Sequence, residues 1–227
     1  MMPSDSAQNY FDTYLKTLFD TDKQAALQLI QDALEGGVSP EDIVFEIVVP
    51  GLEMMVGGMI SDNQVTLSQH FLAAQIADEV VDQLLPKFSG VPVISGRVVI
   101  GSSFGDFHGL GKKIVIGCLR ARMFQVKDLG INVPPERFVD EAIAFNAEVI
   151  AVSAMMVHTA KGEQGAKQIR QILQQRHLED RFRIIVGGAP YRFHEKMYLD
   201  VGADAWADSA AEAPEVVTRL VREVRSK

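Results

Sequence analysis

Apolar positions in the first 88 residues recur at helical spacing. From Asp22 to Gly36 they repeat every three or four residues, Thr21 can cap the start, and the Gly36-Gly37 pair ends the pattern. The same spacing predicts further helices over Asn9–Phe19, from Ser39 through Ile47, over Leu52–Met59 and over Leu67–Leu85. The Pro50-Gly51 pair should break or kink the chain between two of them. Four or five helices with short connections predict a small bundle.

Beyond residue 96 the pattern changes to short apolar runs separated by amphipathic segments. The apolar runs predict five strands, at Arg97–Ser102, Gln125–Asp128, Glu148–Ser153, Arg183–Val186 and Ala203–Trp206. The amphipathic segments predict five helices, at Leu110–Met123, Pro135–Asn146, Gly162–Gln175, Glu195–Val201 and Ala211–Val224. Strands that alternate with helices form a parallel sheet covered on both faces. The predicted fold class is therefore α/β: an N-terminal four- or five-helix bundle cap, followed by a flavodoxin-like or Rossmann-like five-stranded parallel sheet domain.

The composition divides the chain at the same place. Residues 87–96 have the Gly, Ser and Pro content of a linker. Residues 1–88 hold 3 Lys or Arg and 14 Asp or Glu, a balance of −11, whereas residues 89–227 hold 19 and 16, a balance of +3. We therefore predict a helical bundle cap domain over 1–88 and a second domain over 89–227. The contrast in charge indicates either two different surfaces or electrostatic docking, of the domains on each other or of the acidic one on a basic partner.

Charge and cysteine content indicate where the protein is located and which partners it does not bind. A net charge of −8 argues against general nucleic-acid binding. The sequence has no run of 18 apolar residues, and its first residues lack the basic and apolar blocks of a signal peptide. The lone Cys118 suits a reducing compartment, and we interpret it as a small buried hydrophobic residue. We therefore expect a cytoplasmic protein that binds neither nucleic acid nor a membrane.

The predicted sheet brings the loops after its strands to one edge, where ligands bind in doubly wound domains. The first strand is followed by Asp106 and His108, two residues apart. The loops after the third, fourth and fifth strands are rich in glycine, small and hydroxyl-bearing residues, and they contain Ser153, Met155, His158, Thr159, Gly187, Gly188 and Ala207–Ala210. We interpret His158 as a polar loop residue.

Asp106 and His108 have the spacing of a metal ligand and its supporting carboxylate. A neutral imidazole can bind a metal through one ring nitrogen while a carboxylate on the other nitrogen fixes the tautomer. Either Ser153 or Thr159 could supply the hydroxyl that such a carboxylate needs. One histidine cannot hold a free metal ion, but a metal that brings its own equatorial ligands needs only one axial residue. The alternative is that His108 merely caps the following helix or bonds the main chain.

The Gly187-Gly188 pair also has two interpretations. It can form a tight turn that requires positive φ, or it can leave room for a flat or bulky group that passes too close for a Cβ. A phosphate-binding role is not expected for Gly105–Gly111, because GDFHGLG matches neither G-x-G-x-x-G nor a P-loop.

Three motifs together resemble the family of cobalamin-binding domains. The stretch GDFHGLGKKIV resembles the family's Asp-x-His-x-x-Gly motif. Ser153-Ala-Met155 stands where the family has Ser-x-Leu, and Val186-Gly-Gly188 stands where it has a glycine pair. Upstream, residues 51–86 resemble the last helices of the four-helix cap that precedes such domains in methionine synthase and in corrinoid proteins of methyltransferase systems.

The resemblance implies that cobalamin binds base-off and His-on, with its dimethylbenzimidazole displaced from cobalt. His108 would be the axial cobalt ligand through Nε2, Asp106 would hold its other ring nitrogen, and Thr159 would stand behind Asp106. Ser153 would bond the displaced base, and the glycine pair Gly187 and Gly188 would let its tail pass. The resemblance also implies cofactor contacts by Phe107, Gly109, Gly111, Met155, Val157 and Ala210, and, over the upper face, by Leu67 or one of Met54, Met55 and Met59. For the methionines, ordinary helix core is the alternative.

The implied function is that of a corrinoid methyl carrier, a non-catalytic subunit of a methyltransferase system that binds methylcobalamin or another corrinoid. Its cobalt would cycle between Co(I) and methyl–Co(III). The implied partners are a substrate-specific methyltransferase, a second methyltransferase that passes the methyl group to a folate, pterin or thiol, and a reductive activator protein. The alternatives are a cobalamin-dependent sensor that signals through the cap, a subunit of an adenosylcobalamin mutase, and a flavodoxin- or receiver-like domain without cobalamin.

Overall fold

The computed structural model of the chain describes residues 5–61, 65–88 and 94–227. The chain forms two compact units. The helical unit comprises residues 1–93 together with the short segment 120–123, and the α/β unit comprises residues 94–119 and 124–227. Half of the predicted linker, residues 89–93, lies outside the described residues. In the described part of the chain, no helix is long and apolar enough to cross a membrane.

The helical unit confirms the predicted N-terminal helical region. Its elements are α1 (Asp5–Phe19), α2 (Lys23–Glu35), α3 (Pro40–Asp42), a π-helical segment (Ile43–Val48), α4 (Val49–Ser61), α5 (Leu67–Leu84) and a 3-10 turn (Leu85–Lys87). Apolar side chains from several of these elements, including Leu18, Ile47 and Leu84, are buried at helical spacing. The helices are therefore held together by the stripes that the sequence pattern shows.

The start of α2 differs from the prediction that Thr21 caps it. Asp22 is the N-cap residue, and its carboxylate accepts a hydrogen bond of 2.9 Å from the main-chain N–H of Ala25. Thr21 lies in the preceding turn with a φ of 56°, and its hydroxyl bonds the Asp20 carbonyl. The prediction for Thr21 was wrong because a carboxylate at the N-cap also interacts favourably with the helix dipole, which a neutral hydroxyl does far less.

The prediction that the helix breaks or kinks at Pro50-Gly51 was also wrong, because the irregular segment lies just before these two residues. The helix continues through both residues as α4, directly after the π-helical segment, where the Val49 N–H bonds the Val44 carbonyl five residues back. Proline lacks an N–H, and its ring collides with the carbonyl four residues back in a regular α-helix, so the wider turn just before it accommodates the ring. A Cβ on Gly51 would lie 2.9 Å from Tyr14 Cε1, so this glycine permits close packing of α1 against α4.

Two polar side chains are buried in the helical unit. Tyr14 and His70 are 0% and 1% exposed, and neither the Tyr14 hydroxyl nor either ring nitrogen of His70 has a hydrogen-bond partner among the described residues. Burial raises the pKa of Tyr14 above its usual range. Burial also lowers the pKa of His70, by more than the nearby main chain of Met55 raises it. Both groups are therefore neutral in the folded unit at neutral pH.

The α/β unit confirms the predicted Rossmann-like parallel sheet. Its five strands are all parallel, in the order β2-β1-β3-β4-β5. They are β1 (Gly96–Ser102), β2 (Phe124–Asp128), β3 (Val149–Ser153), β4 (Arg183–Gly187) and β5 (Ala205–Ala207). The helices are α6 (Leu110–Ala121), α7 (Pro135–Phe145), α8 (Val157–Lys161), α9 (Ala166–Gln175), α10 (Ala189–Phe193), α11 (Met197–Asp200) and α12 (Ala213–Arg225).

The largest differences from the predicted bounds concern the short helices. The helix predicted over Gly162–Gln175 begins only at Ala166, as α9, and the short α8 before it was not predicted. Gly162 is extended, with φ −61° and ψ 148°, and ends α8. Since α8 begins at Val157, His158 lies on a helix and the interpretation of it as a loop residue was wrong. The five-residue α10 was not predicted, because so short an element shows no helical period.

The sheet carries an apolar core on each face. On one face, strand residues such as Ile150 pack with Phe138 of α7 and with α9. On the other face, the alternate strand residues, such as Ile100, pack with α6 and with Leu220 of α12. Cys118 of α6 is buried, as the sequence predicts. The strands are thereby covered on both sides, and their loops meet at the carboxyl edge.

Candidate functional site

His108 lies in the loop between β1 and α6. Within this loop Gly105 has a φ of 78°, and the next residue, Asp106, is completely buried. Asp106 Oδ1 accepts the main-chain N–H of His108 at 2.9 Å and lies 2.9 Å from His108 Nδ1. The His108 side chain is 56% exposed, whereas that of Asp106 is 1% exposed. The loop therefore presents an imidazole to the outside while a buried carboxylate holds its Nδ1.

The other carboxylate oxygen of Asp106 is bound by residues that follow β3. The Met155 main-chain N–H donates to Oδ2 at 2.7 Å, and the Thr159 hydroxyl lies 2.8 Å from the same oxygen. Thr159 is buried on α8, and its hydroxyl is also 2.9 Å from the Met156 carbonyl. The sequence left Ser153 and Thr159 as alternatives for this hydroxyl, and the structure brings Thr159 to Asp106.

The surroundings of Asp106 keep its carboxyl group ionised. Burial by itself raises the pKa, but the N–H groups of Met155 and His108, the Thr159 hydroxyl and the His108 ring together hold the pKa below its usual value. An ionised carboxylate only accepts hydrogen bonds, so Nδ1 of a neutral His108 ring carries the hydrogen. The Nε2 atom then keeps its lone pair, which is the form of imidazole that binds a metal.

The His108 ring neither caps α6 nor bonds the main chain among the described residues, which was the alternative role. Within the described chain the ring bonds the Asp106 carboxylate. Other groups satisfy the main chain here, since the Ser102 hydroxyl donates to the His108 carbonyl at 2.7 Å and the Lys113 N–H donates to the Gly109 carbonyl at 3.1 Å. The imidazole is thus held at one nitrogen and available at the other.

A row of small residues crosses the carboxyl edge of the sheet. The last residues of four strands are in register, Ser102 with Ser153, Ser153 with Gly187, and Gly187 with Ala207. These four residues lie on the sheet face that α6 and α12 cover. The residue two positions earlier in each of these strands packs against those helices, and alternate residues of a strand share a face. This row therefore carries no side chain larger than that of serine.

The two glycines at the end of β4 differ in what a side chain there would meet. Gly188 has a φ of 118°, and a Cβ there would overlap the Ala154 carbonyl oxygen, so the tight-turn interpretation applies to it. A Cβ on Gly187 would come no closer than 3.8 Å to the Ala207 carbonyl, which is an ordinary contact. Packing among the described residues therefore does not require glycine at 187. Opposite Gly187 in register, the Ser153 carbonyl accepts the N–H of Ser103, whereas the Ser153 hydroxyl bonds none of the described residues.

Exposed apolar side chains accompany the imidazole on the loops and helix starts at this edge. Phe107, Leu110, Ile131, Met155 and Val157 are between 41% and 65% exposed. Single exposed apolar residues are ordinary, but several on neighbouring loops are typical of a binding surface. The edge therefore combines one available ring nitrogen with an apolar surface and a row of small residues.

Two family models match the chain. Residues 96–216, more than half of the chain, match a family model described as a B12 binding domain. Residues 10–85 match a second family model with the same description. This chain belongs to the B12-binding domain family. Cobalamin, which is vitamin B12, is therefore its cofactor, as the sequence predicts.

Relatives of this B12-binding protein align with it along nearly its whole length. Monomethylamine corrinoid protein 1 of Methanosarcina acetivorans is 29% identical over 221 residues, which are 95% of this chain and 99% of that protein. A cobalamin-binding protein from Desulfitobacterium hafniense DCB-2 has the same fold, with a TM-score of 0.70 at 22% identity over 92% of this chain and 98% of that one. The monomethylamine corrinoid protein of Methanosarcina barkeri has a TM-score of 0.56 at 27% identity over 94% of this chain and 99% of that one.

The residues at the edge have side chains that suit a corrinoid. A corrin ring carries four nitrogen ligands of its own, so a single imidazole such as that of His108 would suffice as the ligand from the protein. The Ser153 hydroxyl is unused by the described residues, and Gly187 leaves space that a Cβ would fill. The structure describes no group of three or more His, Cys, Asp and Glu side chains that could hold a metal ion.

The other predicted contacts in the α/β unit are Gly109 in the histidine loop, Gly111 in the first turn of α6, and Ala210. A Cβ on Gly109 would be 3.3 Å from Ile131 Cγ2, whereas a Cβ on Gly111 would meet nothing within 4 Å. Ala210 is half-buried in the turn between β5 and α12. Their contacts with cobalamin stay predictions.

The predicted contacts from the helical unit are only partly described. The side chains of Met59 and Leu67 lie outside the described residues. Met55 is fully buried within the helical unit, where it is helix core, whereas Met54 is 50% exposed. Ordinary helix core, the alternative interpretation of these methionines, therefore applies to Met55.

Sequence reasoning missed two residues that shape the histidine loop. Ser102 holds the His108 carbonyl, and Asn132 bonds Gly105 and Asp106 from the loop after β2. The sequence signal for Asn132 was an asparagine in the short turn segment between Gly130 and the following prolines, a place where asparagine often adopts positive φ. Nothing in the local pattern of Ser102 distinguished it from a strand end.

Proposed function

We propose that this chain is the corrinoid protein of a methyltransferase system, and that it carries a methyl group on cobalamin from one methyltransferase to another. Its membership of the B12-binding family supports this assignment, as do relatives that are monomethylamine corrinoid proteins. When bound, the corrinoid supplies a cobalt that accepts and releases a methyl group. The chain's own contribution is to bind the cofactor and to supply the ligand beneath the metal.

The observation that carries the proposal is the array of His108, Asp106 and Thr159. We infer that cobalamin binds base-off and His-on, with His108 Nε2 as the lower axial ligand. The buried, ionised Asp106 accepts the hydrogen of Nδ1, which fixes the tautomer and strengthens Nε2 as a donor to metal. The Thr159 hydroxyl holds the other carboxylate oxygen, so the carboxylate keeps its orientation.

The displaced base would lie along the row of small residues. The Ser153 hydroxyl has no hydrogen-bond partner among the described residues and can bond a ring nitrogen of the base. Gly187, which faces Ser153 in register, leaves the width that a flat ring needs. Gly188 contributes the turn that ends β4 at this point, because its φ of 118° favours glycine.

The proposed partners supply the donor and acceptor sites. A substrate-specific methyltransferase would present the methyl donor, and the relatives' names favour a methylamine as that donor. A second methyltransferase would pass the methyl group to a folate, a pterin or a thiol, and a reductive activator protein would restore oxidised cobalt. The balance of −11 over residues 1–88 favours a basic docking surface on at least one of these partners.

Electron paramagnetic resonance of protein loaded with cob(II)alamin tests the axial ligand. An axial nitrogen-14 nucleus splits each cobalt line into three, whereas nitrogen-15 splits it into two. In protein labelled with nitrogen-15 histidine we expect the two-line pattern. It should disappear in His108→Ala and persist in His158→Ala, a matched change of an exposed histidine on α8. A three-line pattern in the labelled wild-type protein would show that dimethylbenzimidazole stays on cobalt and would refute His-on binding.

Carbon-13 monomethylamine tests the carrier role. The protein, loaded with reduced cobalamin, is incubated with this donor and a monomethylamine methyltransferase, and the label is sought on protein-bound cobalamin. We expect labelling of the wild type and less of His108→Ala. If methyltransferases for monomethylamine, dimethylamine and trimethylamine all leave His-on protein unlabelled, the carrier role is wrong for methylamines. A change of oligomeric state on illumination, without methyl transfer, would favour the sensor.

A further inference from the structure

The loop that follows β2 packs against the loop that carries His108. Past the end of β2 the chain stays hydrogen-bonded to the last residue of β1, since the Ser102 N–H donates to the Gly130 carbonyl and the Val133 N–H donates to the Ser102 carbonyl, each at 3.0 Å. Asn132 lies between these two contacts in a left-handed conformation, with a φ of 52°. Main-chain hydrogen bonds on either side therefore fix the position of Asn132.

Asn132 bonds the histidine loop at two adjacent residues. Its side-chain Oδ1 accepts the Gly105 N–H at 2.8 Å, and its main-chain N–H donates to the Asp106 carbonyl at 2.9 Å. Asp106 is the residue whose carboxylate holds the His108 ring. Asparagine suits this place because its short amide tolerates the left-handed region while offering an acceptor. The orientation of Asp106 thus depends on contacts from a different loop.

The same loop is also anchored to the helix that follows the histidine. Asp128 Oδ1 accepts the Gly130 N–H at 2.8 Å and pairs with the ammonium group of Lys112, whose side chain is only 1% exposed. Lys112 lies in the first turn of α6, which begins at Leu110. The loop after β2 therefore holds the histidine loop through Asn132, and Asp128 at the end of β2 connects this loop to the start of α6.

We propose that Asn132 is a positioning residue for His108: through Gly105 and Asp106, its amide fixes the direction in which the imidazole presents Nε2. This inference rests on the proposed role of His108 as the axial cobalt ligand. Gly105 is half-buried, so water can replace the lost acceptor at little cost to folding. Axial ligation should suffer more, because a ligand site has to be held to within about 0.5 Å.

Three variants separate this role from general stability. Asn132→Gly removes the side-chain acceptor and keeps a residue that adopts positive φ readily. Asn132→Asp restores an oxygen acceptor at the same place. Asn146→Gly is the matched control, because Asn146 also has a left-handed φ, 53°, but it ends α7 and bonds Arg181 at 3.2 Å.

Each variant, labelled with nitrogen-15 histidine, is loaded with cob(II)alamin. The fraction of the two-line axial pattern and the dissociation constant for cobalamin are measured, with folding checked by circular dichroism. We expect Asn132→Gly to lose most of the two-line pattern and to bind cobalamin about tenfold more weakly, as expected for one lost hydrogen bond. Asn132→Asp should recover both quantities, and Asn146→Gly should match the wild type in both.

The outcomes distinguish this inference from the function on which it rests. A wild-type pattern and affinity in Asn132→Gly would overturn the positioning role and leave His-on binding intact. Equal losses in Asn146→Gly would also overturn it, because the effect would then follow stability alone. A wild-type protein without the two-line pattern would overturn His-on binding itself, and the positioning role with it. If Asn132→Gly does not fold, Asn132→Ser takes its place with the same expected losses, because its shorter side chain does not reach the Gly105 N–H.

Discussion

Replacing Thr159 with valine should destabilise the α/β unit through Asp106. The two side chains have nearly the same shape, so the change removes a hydroxyl and leaves the packing in place. That hydroxyl is 2.8 Å from Asp106 Oδ2, and the two residues are 4% and 0% exposed. Water therefore cannot replace the lost donor, and the carboxylate keeps its charge with one hydrogen bond fewer.

The expected loss follows from the charge of the acceptor. A hydrogen bond to a charged group contributes about 1.5–3 kcal/mol, and Oδ2 of Asp106 retains the Met155 N–H, so we expect a loss of about 2 kcal/mol at neutral pH. Hydrogen bonds hold the pKa of Asp106 below its ordinary value of 3.8, so their contribution is present above that pH and is lost as the pH falls through the lower, folded-state pKa. The variant raises that pKa, so its difference from the wild type should shrink on acidification.

Urea unfolding followed by the fluorescence of Trp206 measures this loss. The chain has a single tryptophan, and because it lies in β5 it reports on the α/β unit. Thr218→Val is the matched control, since the Thr218 hydroxyl bonds the Pro214 carbonyl within α12, and its change should stay within about 0.5 kcal/mol. A loss in Thr159→Val no larger than in this control, or one that is unchanged through the acid range, would refute the role of Thr159 as a donor to Asp106.

Other substitutions test packing, titration and the ion pair of Lys112 with Asp128. Gly188→Ala should lower the free energy of unfolding by about 3 kcal/mol or more, as measured by urea unfolding. Gly187→Ala should change it by less than about 0.5 kcal/mol yet weaken cobalamin binding, as measured by equilibrium dialysis. Burial lowers the pKa of His70, so the free energy of unfolding of the wild type should fall by up to about 1.4 kcal/mol per pH unit below the ordinary histidine pKa of 6.5. Urea titrations followed by circular dichroism should show a smaller fall in His70→Leu. Asp128→Ala should destabilise by at least about 2 kcal/mol more than Lys112→Met, because it leaves a buried ammonium unpaired; equal losses in urea unfolding would contradict this.

The sequence by itself predicted the two-part architecture, most of the elements and the candidate site residues. Helical and strand periods are properties of neighbouring residues, so the helices of the first part and the five strands of the second can be read locally. The Asp106-x-His108 spacing is local too, because both the carboxylate and the ring come from one loop. Errors arose where a local rule had two solutions, as when Asp22 rather than Thr21 capped α2.

Only the tertiary structure decided which partner each site residue takes. Thr159 rather than Ser153 reaches Asp106 because α8 brings its hydroxyl to a carboxylate 53 residues earlier in the chain. Gly188 is required by the Ala154 carbonyl, whereas the described chain leaves Gly187 without such a neighbour. Asn132 could not be found from its own segment, since its partners lie 26 and 27 residues away, on the loop after the neighbouring strand. The physical reason is the same in each case: a local pattern determines which face a residue occupies, and only the packing of distant segments determines what that face contacts.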